Sequence, residues 1–121
     1  MINKQDYLNS IEQNIEMVRG DTLSFDFQIV GLGDDEAEFE FTCADEYGKS
    51  PVFNATLNDG IELVEENTEA DIKTYSVNIR PEQTAGLDVT MYYYRLLMAV
   101  NNDVLTLMKG SLNLLYDVER G

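Results

Sequence analysis

Apolar and polar residues alternate along most of this chain. From Thr22 to Val30 it reads Thr-Leu-Ser-Phe-Asp-Phe-Gln-Ile-Val, with Leu23, Phe25, Phe27 and Ile29 on one parity and Thr22, Ser24, Asp26 and Gln28 on the other. That two-residue period is the mark of a half-buried β-strand. It returns at Ala37, Phe39, Phe41 and Cys43, which alternate with Glu36, Glu38, Glu40 and Thr42, and again at Tyr75, Val77 and Ile79. Shorter runs follow the same rule at Ile15 and Met17, at Ile61 and Leu63, and at Leu112, Leu114, Tyr116 and Val118. Gly31-Leu32-Gly33-Asp34-Asp35 has the composition of a loop, so the strands on either side of it are expected to form a hairpin.

Three stretches break the alternation. Met91 to Val100 is apolar or aromatic on both parities with Arg95 its sole charge, which predicts a central strand covered on both faces. Pro81-Glu82-Gln83-Thr84-Ala85-Gly86-Leu87 begins with proline and runs into glycine, the order expected of one helical turn between strands. Near the start, Leu8, Ile11 and Ile15 have helix-like spacing behind a possible cap at Asp6. Residues 1–13 are therefore expected to form an N-terminal arm or short helix, and residues 14–121 a single β-sandwich domain. The fold expected is all-β, an antiparallel Ig-like β-sandwich of about 8–9 strands, with a small barrel as the nearest relative.

Composition narrows the chemistry. A chain of 121 residues is long enough to bury one core without staples. Its single cysteine, Cys43, permits no internal disulfide, and together with a start lacking a basic and apolar leader this fits a reduced, cytoplasmic site of synthesis. Eight Lys and Arg against twenty-three Asp and Glu give a formal charge of -15. Such a chain repels phosphate, so neither nucleic acid nor an anionic membrane is an expected partner. No apolar stretch reaches the length of a membrane-spanning helix.

Histidine is absent, which removes Ser-His-Asp and Cys-His catalysis and the usual zinc sites. Cys43 sits on the apolar parity beside Phe39 and Phe41, where core packing is its expected role. Carboxylates are abundant but fall in turns or on polar parities, whereas a glycosidase pair needs one acid desolvated in a cleft. Asp34, Asp35 and Glu36 are weak calcium candidates, since they lack the spacing of an EF-hand loop. Arg19-Gly20-Asp21 matches an adhesion tripeptide, yet a tight turn accounts for it. The Tyr92-Tyr93-Tyr94 run lacks the flanking cations of a nucleic-acid platform. No catalytic residue, cofactor or resident metal is expected.

Four pieces of the chain, Arg19-Gly20-Asp21-Thr22, Tyr75 to Leu87, Tyr92-Tyr93-Tyr94-Arg95-Leu96 and Leu105 to Leu114, occur in an order that resembles small β-sandwich proteins of tailed bacteriophages and prophages. The family it is most similar to is the N-terminal domain of the phage baseplate upper protein, over Val18 to Val118. It departs at Gln83, where such proteins tend to have Asp, and at Val89-Thr90-Met91, where they tend to have a glycine. The positions that carry the resemblance are Gly20, Asp21, Thr22, Pro81, Thr84, Tyr92, Tyr94, Thr106 and Gly110. What it implies is a non-enzymatic structural protein of a virion tail, baseplate or connector, made in a bacterial cytoplasm. It would act through contacts with other virion or tail proteins and as a homo-oligomer. Tyr7, Leu8 and Ile11 in the arm are the interface candidates. The alternative is a carbohydrate- or calcium-binding β-sandwich module that uses the acidic loops and Tyr47.

Overall fold

The computed structural model describes residues 2–3, 11–45 and 51–116. The strands are β1 (Ile2–Asn3), β2 (Ile11–Glu12), β3 (Ile15–Val18), β4 (Leu23–Val30), β5 (Ala37–Ala44), β6 (Pro51–Leu57), β7 (Gly60–Asn67), β8 (Ile72–Ile79), β9 (Met91–Val100) and β10 (Asp103–Leu115). The one described helix, α1 (Pro81–Thr84), is the single turn expected between β8 and β9. The fold is all-β, and the ten strands among the described residues lie in one hydrogen-bonded sheet of order β1-β4-β8-β7-β6-β5-β9-β10-β2, with β3 also on β10.

This sheet is strongly folded over. Its path passes between halves at β6 and β7, which share only the parallel pairs Thr56↔Gly60 and Leu57↔Ile61. Gly60 holds φ at 102° there, and a Cβ on it would collide with that of Ala55. The fold brings β4 and β8 against β5. Phe27 meets Phe39 with ring centroids 5.3 Å apart, Phe25 meets Phe41 at 6.0 Å, and Tyr75 meets Phe39 at 4.4 Å. At the opposite margin β3 lies on β10 and runs through Arg19–Gly20 into β4, so the sheet nearly closes into a barrel. The inward parity supplies one continuous core that includes Ile29, Phe41, Ile61, Val77, Tyr94 and Leu96. Each such side chain contributes about 1.5–3 kcal/mol by leaving water.

The hairpin expected across Gly31–Asp35 does not form. β4 pairs with β8 along its whole length, from Leu23↔Ile79 to Val30↔Ile72, while β5 pairs with β6 and β9. The two strands face each other across the core instead of lying side by side. Asn101 and Asn102, both at positive φ, do turn β9 into β10 as a hairpin, because asparagine tolerates the left-handed region that such turns require.

Two further expectations are corrected. The helix-like spacing does not hold at Ile11, which lies in β2, while β3 is the strand expected at Ile15 and Met17, and Asp6 and Leu8 lie outside the described residues. β2 and β3 both run parallel to β10, through Met108↔Ile11 and Leu112↔Ile15. A short isolated helix is marginal in water, and the open edge of β10 offers this stretch a ladder of backbone partners. β9 lies between β5 and β10 as expected, but its two faces are covered unequally. Tyr92, Tyr94, Leu96, Met98 and Val100 are buried, while Met91 and Arg95 on the other parity are exposed and Tyr93, Leu97 and Ala99 only partly covered.

Candidate functional site

Several of the positions that carry the resemblance lie at two hydrogen-bonded contacts, which together make a seam. Gly20, at φ 85°, sits in the turn between β3 and β4, where Asp21 donates its backbone N–H to the Val18 carbonyl at 3.1 Å. Gly20 in turn donates its N–H to Thr84 Oγ1 at 2.9 Å, and Arg19 donates from Nη1 to the Leu87 carbonyl at 3.2 Å. Thr84 is fully buried. The turn after β3 is thus seated on the crossover after β8. Pro81 opens α1, and Gln83 accepts the Arg80 N–H on Oε1 at 2.8 Å while reaching the Asn54 carbonyl through Nε2 at 3.3 Å. Gln83 therefore caps the helical turn itself.

The second part of the seam is Gly110. The register shift in β10 falls nearby, between Thr106 and Met108, and not at this residue. Gly110 has a different task, since a Cβ there would strike the carbonyl of Gln13, where β2 gives way to β3. Tyr94, opposite Gly110 in the ladder, donates its hydroxyl to that same carbonyl at 2.6 Å. Asn14 Oδ1 accepts the Ser111 N–H at 3.3 Å. Tyr92 donates to the Asp88 carbonyl at 2.8 Å. Burial first, then the Asp88 carboxylate, push the Tyr92 phenol above its ordinary value. Gln13 and Asn14 were not singled out by the sequence, because their contribution is a main-chain crossing and a local side-chain acceptor.

Thr22 is exposed beside the seam, and Thr106 marks the edge of the bulge. Of the arm candidates, Ile11 is placed in β2, whereas Tyr7 and Leu8 lie outside the described residues, as does Tyr47.

The acidic loop lies elsewhere. Asp34, Asp35 and Glu36 line one side of a concavity of about 650 Å³ that Lys73, Tyr75 and Asn101 also border. Asp35 accepts from Asn101 Nδ2 at 3.0 Å, Asp71 accepts the Gly33 N–H at 2.9 Å, and Lys73 donates to the Gly33 carbonyl at 3.3 Å. These bonds fix the loop to β8 and to the β9–β10 turn. Among the described residues no three Cys, Asp or Glu side chains converge as a metal site. Cys43 is fully buried, and burial pushes its thiol up to about 12, so its reactive anion is suppressed.

No protein-family model matches the chain, and no curated protein matches it. Among solved structures, a family 123 glycoside hydrolase from Clostridium perfringens, described in terms of glycolipid glycan hydrolysis, is similar with a TM-score of 0.56 at 15% sequence identity. The likeness covers 94% of this chain and 25% of that one. This chain thus spans about a quarter of the enzyme's length, and at such identity the shared property is the fold.

Proposed function

We propose that this chain is a non-enzymatic structural and assembly protein of a phage or prophage virion, placed in a tail, baseplate or connector and working through protein–protein contacts. In this reading the folded-over sheet is an Ig-like sandwich, with β1, β4, β8 and β7 as one layer and β6, β5, β9, β10 and β3 as the other. The bond from Tyr92 to the carbonyl four residues upstream supports that arrangement, since a tyrosine corner at the start of the corresponding strand is a hallmark of Ig-like domains.

The observation that carries the functional reading is the seam. Of the residues behind the resemblance to baseplate upper proteins, Gly20 bonds Thr84 across 64 positions of chain and Tyr94 bonds the Gln13 carbonyl across 81, which supports reading them as parts of a scaffold. The surfaces are then what remains to act. The test is to co-express the chain with the products of its flanking reading frames. A stable complex with a tail or baseplate product is expected, and metabolic neighbours with no such complex would overturn the reading.

A second reading, a carbohydrate-binding module, draws on the concavity beside Tyr75 and Asn101 and on the occurrence of a similar fold within a glycan-hydrolysing enzyme. Calorimetry against neutral oligosaccharides checks it, and a flat titration would remove it.

A further inference from the structure

A buried hydroxyl on β8 lacks a partner. Tyr75 is 5% exposed, and whereas Tyr92 and Tyr94 donate their hydroxyls to carbonyls, Tyr75 Oη makes no hydrogen bond among the described residues. A buried polar group left unpaired is costly, and in a native fold it marks a place where something else supplies the partner. Phe27 stacks on the Tyr75 ring with centroids 5.4 Å apart, and Phe39 packs against it at 4.4 Å. With its faces so occupied, the ring reaches the concavity it borders by its hydroxyl edge. Burial first, then the Glu66 carboxylate, push this phenol above its ordinary value. Glu66 stands opposite Lys73 in the ladder, and Lys73 belongs to the same rim. The hydroxyl is therefore neutral and turned toward that rim.

We infer that this concavity binds an aliphatic polyamine, with Tyr75 Oη accepting from one ammonium group and the acidic loop holding the next. Its volume of about 650 Å³ is that of a small-molecule site. The groups around the hydroxyl select the ligand. Four carboxylates, those of Asp34, Asp35, Glu36 and Glu38, border the concavity against one ammonium, that of Lys73, which already donates to the Gly33 carbonyl. Asp34, Glu36 and Glu38 have no ion pair among the described residues. Asn101 gives Nδ2 to Asp35 and keeps Oδ1 as an acceptor. A wall rich in acceptors and poor in donors favours a ligand that brings donors and positive charge. Ala37, Leu57, Ala99 and Val100 complete the lining, and the methylenes between amines can lie along such apolar surface. An anion would be repelled, and a neutral sugar would leave the charge unmatched. The inference goes beyond both readings above and rests on neither.

The experiment is calorimetric titration of the full chain with spermidine at physiological ionic strength, where diffuse attraction is screened, with magnesium chloride as the control. Saturable binding of spermidine is expected, with no saturable heat from magnesium. Tyr75→Phe should weaken it about tenfold and leave the melting temperature of the free protein unchanged or higher, because the hydroxyl removed has no partner. Asp34→Asn combined with Glu36→Gln, both at exposed positions, should weaken it at least as much. No saturable spermidine heat would overturn the site. So would binding that Tyr75→Phe leaves intact or that magnesium matches, since the polyamine would then only be condensing on a chain of charge -15. A lower melting temperature in Tyr75→Phe would overturn the unpartnered hydroxyl on which the site stands. Binding of a neutral oligosaccharide without spermidine would overturn the polyamine in favour of the carbohydrate reading.

Discussion

Two loops hold the polar residues that stand out most in the chain, Arg19–Thr22 and Gly31–Glu36, and they are used in opposite ways. In the first, a backbone N–H and a guanidinium reach across the molecule to Thr84 and Leu87. In the second, Asp34 and Glu36 remain exposed, and the bonds that hold the loop to Asp71, Lys73 and Asn101, though also long-range in sequence, lie at the exposed surface. A turn that feeds buried acceptors is part of the scaffold. A turn whose carboxylates face water contributes charge, which keeps sheet edges from pairing with other copies.

That contrast can be broken by substitution, and the largest effect is expected at the seam. Gly110→Ala should destabilise by about 3 kcal/mol, because the added methyl meets the main chain at Gln13, while Gly86→Ala, with open space around it, should change stability by less than about 0.5 kcal/mol. Urea denaturation of both variants measures the difference; equal midpoints would remove the seam's special status. High pH should come next in size. The folded state keeps the Cys43 proton to about 12 whereas the unfolded thiol releases it from its ordinary 9.0, so the folded chain binds more protons in that window. Stability from this group is intact below pH 9 and is lost as pH climbs toward 12. Melting temperatures across that range should fall less steeply in Cys43→Ala.

Smaller still is Thr84→Val, expected to cost about 1–2 kcal/mol through loss of the acceptor for Gly20, with the melting temperature as readout. Least of all, Glu36→Gln should shift stability by under about 0.5 kcal/mol, and millimolar calcium should leave the wild-type melting temperature where it was. A calcium-dependent rise would show that the acidic loop does more than carry charge.

Alternation in Leu23 to Ile29 and in Ala37 to Cys43 told correctly which parity faces the core, but not which strand lies alongside. The period of a strand encodes its faces and leaves its neighbours to turn geometry and distant backbone. The Asn101–Asn102 hairpin was legible because its turn chemistry is local, and so was α1, from Pro81. Gly110 was visible only as a glycine, since its reason is a carbonyl some hundred residues earlier in the chain. Similarly, β9 announced two apolar faces; that Met91 and Arg95 on one of them are exposed could emerge only once β5 and β10 were seen to flank the strand rather than cover it.

The pairing of β3 with β10 also has a consequence in time. Ser111 bonds Asn14 across 97 positions of chain, so among the described strands β3 has no ladder partner until β10 has been made. Contacts of such sequence separation are slow to close. During synthesis Ile15 and Met17 therefore wait beside an incomplete sheet. A chain cut before β10 would display β3 to any passing edge, since the strand that holds it in place follows it by nearly a hundred residues.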